Sequence, residues 1–213
     1  AELALSFQEV PLLLDGPSGS LEARYQNNPQ ASGLALLCHP NPAQGGSMLN
    51  KVVSTLQRSA RDAGFCTLRF NYRGVGASAG SHCLGSGEVD DAEAALAWLS
   101  AQHPDLPVTL LGFSFGGYVA ASLATRLAGR GEGLQHLLMV APAVNRLLAK
   151  VVFLPQMRLT LIQPEQDEVI SADQVYAWSA ELERDHELLR VAECGHFFHG
   201  KLLELKELVQ PRL

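Results

Sequence analysis

Short apolar runs alternate along this chain with longer stretches whose apolar positions recur every three or four residues, the rhythm of strand followed by amphipathic helix. Near the start, LALSFQEVPLLLDG and SLEARYQ flank the turn signal Gly16-Pro-Ser-Gly19 and predict an antiparallel pair. GLALLCH is a continuous apolar run suited to a strand buried on both faces. FCTLRF, VTLL, LQHLLMVA, MRLTLIQ and HELLRVA read as the later strands. Between them, SMLNKVVSTLQRSARDAG predicts a helix with Ser47 as its N-cap and Gly64 as its stop. Val89, Ala92, Leu96 and Leu99 repeat at helical spacing, with Glu88, Asp90 and Asp91 in a first turn where negative charge complements the helix dipole. AASLATRLAG is apolar and small nearly all round, as expected of a helix packed deep against a sheet. Ser171 to Gln174 reads as a capping box opening a helix that turns Val175, Trp178 and Leu182 inward. Phe198, Leu202, Leu205 and Val209 give the last helix its buried stripe. Strands separated by helices predict an α/β fold: a largely parallel central sheet with helices on both faces.

Composition narrows this picture. A length of 213 residues fits one α/β domain spanning 1–213, and 47% hydrophobic content supplies a two-sided core. The net charge of −6 gives no basic face for nucleic acid. No apolar run approaches the ~20 residues that cross a bilayer, and AELALSFQEVPLLLDG lacks the charged and apolar regions of a secretory signal. Cys38, Cys66, Cys83 and Cys194 form no C-x-x-C pair and no zinc spacing. Reduced thiols, no metal, no cofactor and a cytoplasmic location are the expectation.

The chemistry enters with Gly112-Phe-Ser114-Phe-Gly116, placed after the strand VTLL and before the small-residue helix. A strand, Gly-x-Ser-x-Gly and a helix form a turn so tight that a β-carbon at either glycine would collide with the adjoining strand or helix. The serine is held strained with its hydroxyl projecting. A hydroxyl is a poor nucleophile at neutral pH, so an imidazole must take its proton and a carboxylate must hold that imidazole. LTLIQPEQDEVI reads as a strand and an acidic turn carrying Asp167; LLRVAECGHFFHGKLLEL reads as a strand, a turn at Gly195, and His196 leading into a helix. The order Ser…Asp…His, each on a loop after a strand, is that of α/β-hydrolases.

HPNPAQGGSMLNKVV, LRFNYRGVGASAG, GEVDDAEAALAWL, LLGFSFGGYVA, PEQDEV and CGHFFHGKL together resemble the motifs of small, capless bacterial α/β-hydrolases related to dienelactone hydrolases, described mostly as esterases or acyl hydrolases. The resemblance runs from about Gly33 to Leu208. It implies an α/β-hydrolase fold with Ser114 as nucleophile, Asp167 as acid and His196 as base. Pro164 stands where the acid-bearing loop usually has glycine, which leaves Glu165 as an alternative carboxylate; Asp167 takes the usual place ahead of Val169-Ile170.

Two backbone N–H groups are needed to receive the oxyanion, one from the residue after the nucleophile, Phe115, and one from the loop after the third strand. That loop is His39-Pro-Asn-Pro42. Proline has no N–H, so beyond His39 the donor is Asn41, unless HPNP is simply a rigid turn. His39 reads as structural. His199 shares a helical face with His196 but has no third ligand spaced to complete a metal site. Arg73 pairs with Glu88, Asp90 or Asp91, or else binds a substrate carboxylate. Cys38 and Cys194, without basic neighbours, read as packing residues. Phe113, Phe115, Tyr118, Phe197 and Phe198 are divided between an acyl pocket and the core. Between Val140 and Met157, where many related hydrolases insert a cap, there is room for a short helix around Val144 to Lys150, and so the site is expected to be open. The function expected is a serine hydrolase acting on small ester or thioester substrates; the alternative is a non-catalytic ligand-binding protein on the same fold.

Overall fold

The computed structural model describes residues 8–213. Eight strands form one sheet: β1 (Val10–Gly16), β2 (Gly19–Gln26), β3 (Gly33–Cys38), β4 (Phe65–Phe70), β5 (Val108–Phe113), β6 (His136–Val140), β7 (Arg158–Pro164) and β8 (Glu187–Val191). Their spatial order is β1-β2-β4-β3-β5-β6-β7-β8. The β1–β2 hairpin closes at Gly16 opposite Gly19, and β2 pairs antiparallel with β4. Every pairing from β4 through β3 and on to β8 is parallel. The first strand begins at Val10; the Leu3–Phe7 part of the predicted run lies outside the described residues.

Among the described residues five α-helices cover the sheet: α1 (Lys51–Asp62), α2 (Ser86–Gln102), α3 (Phe115–Ala128), α4 (Ala172–Ala180) and α5 (Leu202–Val209). Side chains alternate across a strand, and the central strands divide their residues accordingly. Leu34, Leu36 and Cys38 of β3 face one core with Leu110, Leu137 and Met139, filled by Val89, Ala92, Leu96 and Leu99 of α2 and by the apolar face of α3. Ala35 and Leu37 face the other core with Leu111, Phe113, Leu138 and Val140, filled by Val52, Val53 and Leu56 of α1 and by Leu205 and Val209 of α5. Continuous apolar strands are thus buried on both sides, as parallel sheets require.

Some boundaries differ from the sequence reading. The cap of α1 is Asn50, whose Oδ1 accepts the Val52 and Val53 N–H groups; Ser47 instead accepts the Leu49 N–H in the preceding turn. Gly64, at φ +91°, does end that helix. In α2, Glu88 folds back to accept the Cys83 and Gly85 N–H groups, whereas Asp90 and Asp91 bind Arg126 and Arg73. His196 leads into a turn rather than a helix: Phe198 sits at φ +55° with its ring fully buried, and α5 starts only at Leu202. The connection from β6 to β7 holds one 3-10 turn, Val144–Arg146, where a longer helix was expected. No cap domain rises from it.

Candidate active site

Ser114 stands at the hinge between β5 and α3, with φ +58°, a region an L-residue adopts only under constraint. Three bonds hold it there. Its N–H donates to the Val140 carbonyl, and its own carbonyl accepts from Gly117 and from Ala143 in the loop after β6. The flanking glycines make the turn physically attainable. A β-carbon at Gly112 would lie 2.2 Å from the Gly116 carbonyl oxygen, and one at Gly116 would lie 2.0 Å from the Cys38 carbonyl oxygen. The start of α3 is therefore pressed against the end of β3.

Parallel strands put the loops that follow β3, β5, β7 and β8 on one rim of the sheet, and three polar side chains meet there. His196 Nε2 lies 3.0 Å from Ser114 Oγ, and His196 Nδ1 lies 2.9 Å from Asp167 Oδ2. A carboxylate only accepts, so Nδ1 carries the proton and Nε2 is left to accept from the serine hydroxyl. Asp167 Oδ1 takes the backbone N–H groups of Val169 at 2.8 Å and Ile170 at 2.7 Å. Burial pushes the Asp167 pKa upward, but the His196 hydrogen bond and those two N–H groups outweigh it and hold the acid below its ordinary value. Glu165, the alternative carboxylate, is exposed and makes no side-chain hydrogen bond among the described residues. The imidazole is nearly fully buried. It lies along the Phe113 ring, with centroids 4.9 Å apart, and meets the edge of Phe197 at the same distance.

The loop after β3 is held by His39. Its Nδ1 donates to the Pro40 carbonyl, its Nε2 accepts the Tyr72 N–H, and its carbonyl accepts the Tyr72 hydroxyl. Burial drives the His39 pKa down to about 3, so the ring is neutral at ordinary pH. Asn41 follows. Its side chain accepts the Ala43 N–H and its carbonyl accepts from Gln44 and Gly46. Among the described residues the backbone N–H groups of Asn41 and Phe115 donate to no protein acceptor.

Other sequence candidates resolve as follows. Arg73 pairs with buried Asp91 through two nitrogens and its own N–H. Of the five aromatics, Phe113, Phe115 and Phe198 belong to the core, Tyr118 is half-buried, and Phe197 is 40% exposed beside the imidazole. His199 is exposed, and no metal-binding group of three or more His, Cys, Asp or Glu occurs among the described residues. Burial raises the Cys38 thiol to about 12 and the Cys194 thiol to about 11, so both stay protonated. A groove of ≈ 600 Å³ runs between the β6–β7 connection and the end of α4, and neither Ser114 nor His196 lines it. The sequence reading missed two partners. Glu168 accepts the His196 N–H, and Gln163 donates to Asp167 Oδ2. Neither is announced by a local motif, because each partner lies on a different loop or strand.

Comparison with known proteins agrees with this architecture. The family model described as alpha/beta hydrolase fold matches residues 35–142. The chain belongs to that family. A relative from Rickettsia prowazekii (strain Madrid E), the uncharacterized protein RP471, is 35% identical over 215 residues, covering 95% of this chain and 87% of its own. Among solved alpha/beta hydrolases, XC6422 from Xanthomonas campestris, described as a serine hydrolase without lid, superposes with a TM-score of 0.87 at 38% identity, covering 96% of this chain and 93% of that one. An alpha-beta serine hydrolase homologue from Coxiella burnetii gives 0.86 at 35% identity, covering 96% and 97%. This alpha/beta hydrolase has a mostly parallel sheet and, like lid-less XC6422, no cap domain among its described residues. None of its described helices is long and apolar enough to cross a membrane.

Proposed function

We propose that this alpha/beta hydrolase is a serine hydrolase of small carboxylic esters or thioesters, with Ser114 as nucleophile, His196 as base and Asp167 as the acid that orients it. The observation that carries the reading is the unbroken hydrogen-bond chain from Ser114 Oγ through both ring nitrogens of His196 to Asp167. As Oγ attacks the substrate carbonyl, its proton passes to Nε2, and the imidazolium that forms is stabilised by the buried carboxylate. The carbonyl oxygen becomes an oxyanion, received by the N–H groups of Phe115 and Asn41. Nε2 then protonates the leaving alcohol or thiol, which departs and leaves the acyl group on Ser114. A water deprotonated by His196 attacks that ester, and collapse of the second oxyanion releases the acid and restores Ser114. Both N–H donors are free among the described residues, as a site awaiting an oxyanion requires.

The absence of a cap in the β6–β7 connection favours small or externally presented acyl groups. The test is Ser114→Ala together with fluorophosphonate labelling. The variant is expected to fold as the wild type does and to lose about 10⁶-fold in kcat on a short p-nitrophenyl ester. Wild-type protein is expected to take one fluorophosphonate, at Ser114. Full activity in the variant would remove Ser114 from the mechanism, and a wild type that neither labels nor hydrolyses would favour a ligand-binding role.

A further inference from the structure

Gln163 is the penultimate residue of β7 and is fully buried. Its Nε2 lies 3.1 Å from Asp167 Oδ2 and 3.1 Å from the Pro164 carbonyl. Both are acceptors without a proton, so the amide must turn its NH₂ toward them; the reverse orientation would set oxygen against oxygen. Its Oε1, also buried, accepts from no protein group among the described residues. Leaving a buried acceptor without a partner costs stability, and a methionine would fill the same space without that cost. Packing therefore gives no reason for an amide here. Its one well-used group is the NH₂ on Asp167.

We infer that Gln163 is a positioning residue for the Ser114–His196–Asp167 chain, sharing Asp167 Oδ2 with His196 so as to lock the carboxylate's rotation and temper its pull on the imidazole. The inference rests on the serine-hydrolase reading. With Gln163 and His196 on Oδ2, and Val169 and Ile170 on Oδ1, all four acceptor directions of the carboxylate are taken. Any rotation breaks at least one of these bonds. A donor on Oδ2 also draws negative charge from the oxygen that faces His196 Nδ1.

Other charged and titratable groups surround the cluster. Glu168 accepts the His196 N–H, and Glu165 lies exposed in the same loop. From β8, Arg190 is in register with Gln163 and stacks on Tyr176 of α4; Asp173 lies on that helix too. Cys194, Lys201 and Glu204 lie on the α5 side, and His39 sits neutral beyond Ser114. None of these is altered by substitution at 163, so a difference between variants reports that one donor.

The experiment measures kcat/KM against pH on a short ester for wild type, Gln163→Met and Gln163→Glu, with thermal midpoints recorded alongside. Without the donor, Asp167 Oδ2 turns its full charge toward His196 Nδ1. In Gln163→Met the acid-side midpoint is expected to rise by about half a pH unit or more, with the plateau falling roughly tenfold. KM should not change, because Gln163 touches no substrate. In Gln163→Glu the new carboxyl is expected to stay protonated beside Asp167 and to donate as the amide does. It should track wild type near neutrality and then lose activity on the alkaline side as it ionises, a limb the wild type lacks. Should Gln163→Met fail to fold, this isosteric variant carries the test. Profiles of both variants that coincide in shape with wild type, however low the plateau, would overturn the inference. If wild-type Ser114 does not react with fluorophosphonate, the hydrolase reading itself falls, which is a separate outcome.

Discussion

Asn41 has φ −54°, inside the range that proline's ring imposes, so its N–H can be removed without bending the chain. That makes the proposed oxyanion donor separable from the side chain. Asn41→Pro is expected to lower kcat ~10²–10³-fold with little change in KM, whereas Asn41→Ala, which keeps the N–H and loses only the bond to Ala43, should stay within about threefold of wild type. Steady-state kinetics on one ester decides it; equal losses in both variants would move the role to the side chain. At this scale the sequence carried a good deal. Ser114 was visible because its turn is local, two glycines and a strand within a few residues. Asp167 and His196 were visible because each lies in the loop after a recognisable strand. Gln163, Glu168 and Tyr72 were not. Their partners lie on other strands and loops, at 167, 196 and 39, and nothing near them in the chain says which neighbour the sheet will supply.

Strands were easier to read than helix ends. A buried strand announces itself by an uninterrupted apolar run, and all eight lie within or overlap the predicted segments. A helix start is decided by which of several polar residues reaches the free N–H groups. SMLN offers both Ser47 and Asn50. Met48 N–H is taken by Asn71, which holds the chain out of helical shape until Asn50. Asn50→Ala should therefore cost about 1 kcal/mol of stability and Ser47→Ala only a few tenths, read from urea-denaturation midpoints. The opposite ranking would restore Ser47 as the cap. The start of α5 was misplaced for a similar reason. Phe198 has helical spacing to Leu202 and Leu205, yet its ring reaches the core from a left-handed turn, and spacing alone does not distinguish the two.

Two buried histidines give the whole molecule a pH-dependent stability. Burial lowers His39 from 6.5 to about 3 and His136, bonded to Thr160, from 6.5 to about 4. Between pH 6.5 and those values the unfolded chain binds protons that the folded chain refuses. Stability is thus full above 6.5 and falls as pH drops, by about 1.4 kcal/mol per pH unit for each histidine. Asp167, held below its ordinary value, extends the loss to lower pH still. Urea midpoints should hold level from pH 7.5 to about 6.5 and then fall steadily down to 4.5, and His136→Gln should make that slope shallower. An unchanged slope would mean that His136 does not titrate on unfolding. The short link from β6 to β7 has a consequence for how this scaffold can be extended. Because the two strands are parallel, the link leaves β6 at the Ser114 rim and enters β7 at the opposite one, and its first residues include Ala143, which binds the Ser114 carbonyl. A helical hairpin spliced just past Ala143 would rise beside Ser114 with every strand pairing preserved, adding a roof to that rim and with it a gate for bulky substrates.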